Sequence, residues 1–138
     1  MSRYLGIDYG ARRIGLAVSD SAARMASPLR TLHNLGGRAR EAAAIRRVID
    51  EFGITELVVG LPLNMDGSEG TQAKRTRQFG DALGAQTALP LHYFDERLSS
   101  FAADELLEAA ELSRKKHKAV HDAVAAQVIL QLFLDRRT

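Results

Sequence analysis

Two short, apolar, β-rich runs open the chain, residues 3–9 and 13–19, joined at Tyr9–Arg12. That pattern predicts a hairpin. Residues 28–33 (Pro-Leu-Arg-Thr-Leu-His) alternate in character and predict a third strand, with a proline that an edge strand tolerates at its start. Beyond the break at Gly36-Gly37 the period changes. Ala42, Ile45, Val48, Ile49 and Phe52 recur at helical spacing over 38–52, and Gly53 supplies a C-terminal stop. Residues 56–61 (Glu-Leu-Val-Val-Gly-Leu) form a continuous apolar run, as in a parallel-sheet strand buried on both faces. Turn-forming residues fill 62–70. A helix is predicted over 71–84, with Ala73, Phe79 and Leu83 inward and Lys74, Arg75 and Arg77 nearby. A last strand is predicted over 89–96. Ser99 or Ser100 can cap a helix over about 101–111, and a final helix covers about 119–136.

The order β-β-β-α-β-α-β-α-α places hairpin strands first and helix-separated strands after, which predicts an α/β fold: a mixed sheet with helices on its faces. A chain of 138 residues, 46% hydrophobic and 26% charged, suits one soluble domain over residues 1–138. No apolar run reaches membrane-spanning length, and no charged-then-apolar signal segment precedes the first strand. The absence of cysteine excludes disulfides and thiolate metal sites. The expectation is a cytoplasmic protein without a membrane partner. A net charge of +2 and a pI near 9.2 permit nucleic-acid binding without arguing for it.

Three carboxylates stand out. Asp8 ends the first strand between Gly6 and Gly10, where it can hold a metal ion, face a phosphate, or only start a turn. Asp122 lies near the start of the last helix, and steps of helical length from it reach Ala126, Ile129 and Phe133. It is therefore in line with residues that face the sheet. A buried carboxylate is costly unless paired or metal-bound. The plainer alternative is an early-turn acid favoured by the helix dipole, or one paired with Arg or Lys. Asp95 and Glu96 close the last strand on opposite faces, and alternation alone does not choose between them.

Phosphodiester hydrolysis needs extra negative charge stabilised and water made nucleophilic, and two divalent ions about 4 Å apart do both. Carboxylate oxygens suit Mg²⁺ or Mn²⁺. Other chemistries have less support. No serine lies in a Gly-x-Ser-x-Gly context. His33, His92, His117 and His121 lack zinc-ligand spacing.

Four motifs then carry a resemblance. They are Gly6-Ile7-Asp8-Tyr9-Gly10 with Arg13-Ile14-Gly15, Gly60-Leu61-Pro62-Leu63-Asn64 with Asp66-Gly67-Ser68, Asp95-Glu96-Arg97-Leu98-Ser99, and Asp122 with Ala125-Ala126 and Ile129-Leu130. Together, and in order along essentially the whole chain, they resemble the YqgF family, described as pre-16S rRNA nucleases or as Holliday junction resolvase-like proteins. The resemblance implies a ribonuclease H-like fold: a central five-stranded mixed sheet, three antiparallel strands first, flanked by helices. It implies that Asp8, Glu96 and Asp122 are both metal ligands and catalytic groups, and it favours Glu96 over Asp95. Related nucleases often carry a fourth acid, for which Asp95 is the nearest candidate.

The loop over residues 60–70 follows a parallel strand, on the edge where open α/β sheets form sites. The resemblance implies that it contacts substrate, with Asn64 its best candidate, and the plainer alternative is a turn built by Pro62 and Gly67. Arg13, Arg97, Lys115 and Lys116 could hold phosphates, or be solvated surface charges. The function so implied is an endonuclease using Mg²⁺ or Mn²⁺, with two ions, on structured RNA, processing the 5′ end of pre-16S rRNA in ribosome biogenesis. The alternatives are a nuclease of Holliday junctions or other branched DNA in repair, and a non-catalytic nucleic-acid-binding module. Asp8-Tyr9-Gly10 also resembles the first phosphate motif of the actin and sugar-kinase superfamily, an architecture of two such domains that 138 residues cannot supply. Monomer and homodimer stay open.

Overall fold

The computed structural model describes residues 2–33, 36–98 and 118–137. Its strands are β1 (Tyr4–Tyr9), β2 (Arg13–Ser19), β3 (Ala26–His33), β4 (Glu56–Leu61) and β5 (Leu91–Asp95). They form one sheet in the order β3-β2-β1-β4-β5. The first three pair antiparallel, as the hairpin pattern requires, and β1–β4 and β4–β5 pair parallel. The helices are α1 (Arg38–Phe52), α2 (Thr71–Thr87) and α3 (Lys118–Arg137). This is the ribonuclease H-like arrangement expected from the sequence.

The differences from expectation are local. β3 begins at Ala26, and its register against β2 shifts between Leu16 and Ala17, which pair with Arg30 and Pro28. A bulge on the outermost strand of the sheet is a place where Pro28 costs no ladder hydrogen bond. α2 continues to Thr87 and is stopped by Ala88 in the left-handed conformation. β5 starts at Leu91 and ends at Asp95, so Glu96 opens a 3₁₀ turn, Glu96–Leu98, instead of closing the strand. The helix expected over about 101–111, with its caps Ser99 or Ser100, lies outside the described residues. No helix among the described residues is long and apolar enough to cross a membrane.

Alternation along the strands divides the core in two. On one face Leu5, Ile7, Ile14, Leu16, Leu57 and Val59 meet Ile45, Val48 and Ile49 of α1 and Phe79 and Leu83 of α2. On the other face Tyr4, Ala17, Val58 and Phe94 meet Ala126, Ile129, Leu130 and Leu134 of α3. The two faces differ in bulk. Beneath α3 the central strands carry Gly6, Gly15 and Gly60, so the helix rests almost on the sheet backbone. A Cβ on Gly6 would lie 2.8 Å from that of Leu130 and 3.0 Å from the carbonyl oxygen of Ala126. Glycine inside a strand is unfavourable unless something must come close. Here α3 comes close, and its first turns carry Asp122.

Candidate active site

β1, β4 and β5 are parallel, so their C-terminal ends share one edge of the sheet, where open α/β sheets place their sites. Asp8 is the penultimate residue of β1 and points to the α3 face, in line with Tyr4 and Gly6. Its partner across the hairpin is Gly15. A side chain at Gly15 would overlap the carbonyl oxygen of Asp122 and lie 3.1 Å from its Cβ. Asp122 is therefore laid directly over the residue that faces Asp8. Ala126 and Ile129, both essentially fully buried, continue its helical stripe into the core, as expected from the spacing.

Glu96 arrives from the other side. A Cβ on Gly60 would lie 2.9 Å from Glu96 Cγ, 3.0 Å from Glu96 Oε1 and 2.7 Å from Ile129 Cδ1. The glycine thus leaves the space that the Glu96 side chain fills. Glu96 and Asp8 share a side-chain hydrogen bond. Burial, and then the Asp8 charge beside it, push the Glu96 carboxyl up to about 8, so near neutrality it keeps a proton that it donates to Asp8. Asp122 makes an ion pair with Arg13, whose Nε lies 2.6 Å from Oδ2. Its side chain is 17% exposed. The structure thus brings Asp8 and Glu96 into contact and places Asp122 across Gly15, held by a cation. Among the described residues no group of three His, Asp or Glu side chains is drawn together tightly enough to hold a metal ion.

The other candidates have clear local partners. Asp95 takes the opposite side of the chain from Glu96 and accepts a forked contact from Arg97, with Nε at 3.0 and 3.1 Å and Nη2 at 2.7 Å. The Arg97 guanidinium holds the Asp95 carboxyl below the usual carboxylate range. Arg97 also donates from Nη1 to the carbonyl of Met65 at 3.0 Å, tying the 62–70 loop to the end of β5. Within that loop the Asn64 amide donates to Ser68 Oγ, and Asp66 accepts from the Ser68 backbone N–H and hydroxyl. Gly67 takes φ +89°, which closes the turn. Arg97 and Asn64, expected as substrate contacts, thus also build the loop. Lys115 and Lys116 lie outside the described residues.

The sequence reading did not find the bare glycine floor formed by Gly15 and Gly60. Its signal was available: a glycine in the middle of an apolar strand marks close approach by another group.

Residues 2–136 match the family described as "RuvX: Holliday junction resolvase". The chain belongs to the RuvX family. This is the YqgF family that its motifs resemble. Among curated relatives, a Moorella thermoacetica protein is 45% identical over 134 residues, covering 97% of this RuvX-family chain and 95% of its own. An Anaeromyxobacter dehalogenans (strain 2CP-C) protein is 47% identical over 135 residues, covering 98% of each chain. Both are named "Putative pre-16S rRNA nuclease". Among solved structures, Thermus thermophilus RuvC in complex with a Holliday junction substrate superposes with a TM-score of 0.65 at 16% identity, covering 99% of this chain and 96% of that one. The fowlpox virus Holliday junction resolvase gives 0.60 at 8% identity, covering 99% of each. At such low identity these two likenesses establish the ribonuclease H-like fold of the RuvX-family chain.

Proposed function

We propose that this RuvX-family chain is a divalent-metal-dependent endonuclease that cuts phosphodiester bonds in structured nucleic acid, with the 5′ end of pre-16S rRNA as its substrate. One observation carries the chemistry: Asp8 and Glu96 meet at the sheet edge over a bare glycine, with Asp122 across Gly15. The relatives' shared name, at 45% and 47% identity over nearly whole chains, supports pre-16S rRNA as the substrate.

The donor set suits Mg²⁺ or Mn²⁺, which take hard carboxylate oxygens. Two half-buried carboxyls that share a proton offer the place a cation fills by displacing that proton. Asp8 and Glu96 would hold it, with Asp122 added once it exchanges Arg13 for the cation. One ion or two, each supplies charge neutralisation at the phosphate and a more acidic bound water. The chain's own residues do the rest. β1 fixes Asp8 on the rigid centre of the sheet. The space above Gly60 lets Glu96 reach Asp8 without straining the turn. Glu96 gives up the proton it holds near neutrality. Ala126 and Ile129 close the floor to water, and Arg13 keeps Asp122 oriented while no cation is present.

The deciding experiment incubates the purified protein with a 16S rRNA precursor and, separately, with a four-way DNA junction, in Mg²⁺ or Mn²⁺, and maps the products. Cleavage at the 5′ end of the precursor, lost in Asp8→Asn, is expected. Cleavage of the junction alone would favour the DNA repair alternative, which the family description supports. Binding without cleavage under every divalent ion would make the chain a binding module.

A further inference from the structure

A group of cations lies beside the acids on the opposite face of the sheet edge, around Tyr9. Tyr9 follows Asp8, and its side chain points to the α1/α2 face. Its ring stacks on Phe79 at 4.1 Å, and its carbonyl accepts from the Gln72 amide at 3.3 Å. Gln72, Arg75 and Phe79 are spaced three and four apart on α2, so Arg75 stands on the helix stripe that faces Tyr9. From α1, Arg38 donates to Gln78 of α2 at 2.8 Å, a neutral partner. Arg12 adds a third cation on the turn after β1. All three arginines are exposed. Among the described residues none has a carboxylate within ion-pair distance. The acid in the group, Glu41, accepts from the Tyr9 hydroxyl at 3.5 Å.

We propose that Arg12, Arg38 and Arg75 form a strip that binds the phosphodiester backbone of the substrate as it leaves the acid site over the N-terminal turns of α1 and α2. A polyanion cut at three carboxylates needs positive charge next to them, because the acids repel its phosphates. The strip flanks Tyr9, the residue after Asp8, and its arginines are exposed to solvent. It rests on the nuclease reading, and it assigns a substrate path to residues outside the acid site.

The test measures binding of a fluorescent RNA hairpin by anisotropy from 0.1 to 1 M salt. The Asp8→Asn background blocks cleavage. Each phosphate contact contributes about 0.7 to 0.9 to the slope of log affinity against log salt. Arg38→Gln/Arg75→Gln should therefore lower the slope by roughly 1.4 to 1.8. The affinity lost in this double variant should be roughly 25- to 60-fold greater at 0.1 M salt than at 1 M. A control, Arg46→Gln/Arg47→Gln, removes the same charge about 12 Å further along α1 and should keep most of the slope. Equal losses in the two double variants, or an unchanged slope in the first, overturn the strip and leave the nuclease reading standing. No binding by the Asp8→Asn protein at any salt overturns both.

Discussion

In the metal-free protein, Glu96→Gln should raise stability at and above neutral pH. The reason is the proton that Glu96 keeps. Its carboxyl is pushed from 4.5 to about 8 by burial and by Asp8. At low pH the native and unfolded chains both hold the proton, and the group contributes nothing. Above about 4.5 the unfolded chain releases it while the native chain keeps it, so stability falls as pH rises until the native group also ionises near 8. A difference of about 3.5 pH units, at about 1.4 kcal/mol each, sets a ceiling of about 5 kcal/mol. Glutamine fills the same space, retains N–H donors for Asp8 and cannot ionise. Urea unfolding of both proteins from pH 4 to 9, in chelator, reads the effect. The curves should lie close together near pH 4, and the variant should gain about 3 to 5 kcal/mol on the wild type by pH 8. Parallel curves, or a variant less stable at pH 8, would refute the proton-sharing pair and make Glu96 a structural support.

Other perturbations test neighbouring parts of the site. Gly15→Ala and Gly60→Ala should each cost about 1 to 3 kcal/mol in urea unfolding, because the added methyl meets Asp122 backbone or Glu96 and Ile129. Arg13→Gln should tighten Mn²⁺ binding in titration calorimetry, since Arg13 competes for Asp122; weaker binding would mean that the arginine helps to build the site. Arg97→Ala should change global stability by less than about 1 kcal/mol, as exposed ion pairs do. It should speed amide hydrogen exchange in residues 64–68, the segment it fastens through the Met65 carbonyl.

Much of this fold was legible because the patterns that specify it are local. The helical period of α1, the apolar run of β4 and the stripe from Asp122 through Ala126 and Ile129 each fix one element and one buried face. The site was legible only in part, because it is made by register and by close approach between distant segments. Alternation could not choose between Asp95 and Glu96. The choice follows from the turn after β5, which sends Glu96 over Gly60 and leaves Asp95 to Arg97. The contact of Asp122 with Arg13 depends on α3 resting on Gly15, more than a hundred residues earlier in the chain. Arg97 and Asn64 read as substrate contacts because a charge or amide in a loop gives no sign of its local partner. Arg75 was visible on its helix, but its grouping with Arg38 around Tyr9 was not, because that depends on α1 and α2 lying side by side.

The central claim, that Asp8, Glu96 and Asp122 form one metal-dependent cutting site, is tested most directly by single-turnover cleavage of a 16S rRNA precursor. Wild type would be compared with Asp8→Asn, Glu96→Gln and Asp122→Asn, each confirmed folded by circular dichroism. Each variant should lose at least about a thousandfold in rate, the equivalent of several kcal/mol of charge stabilisation at about 1.4 kcal/mol per factor of ten. Wild-type activity should vanish in chelator and return with Mg²⁺ or Mn²⁺. Wild-type rates in the three variants would contradict the account.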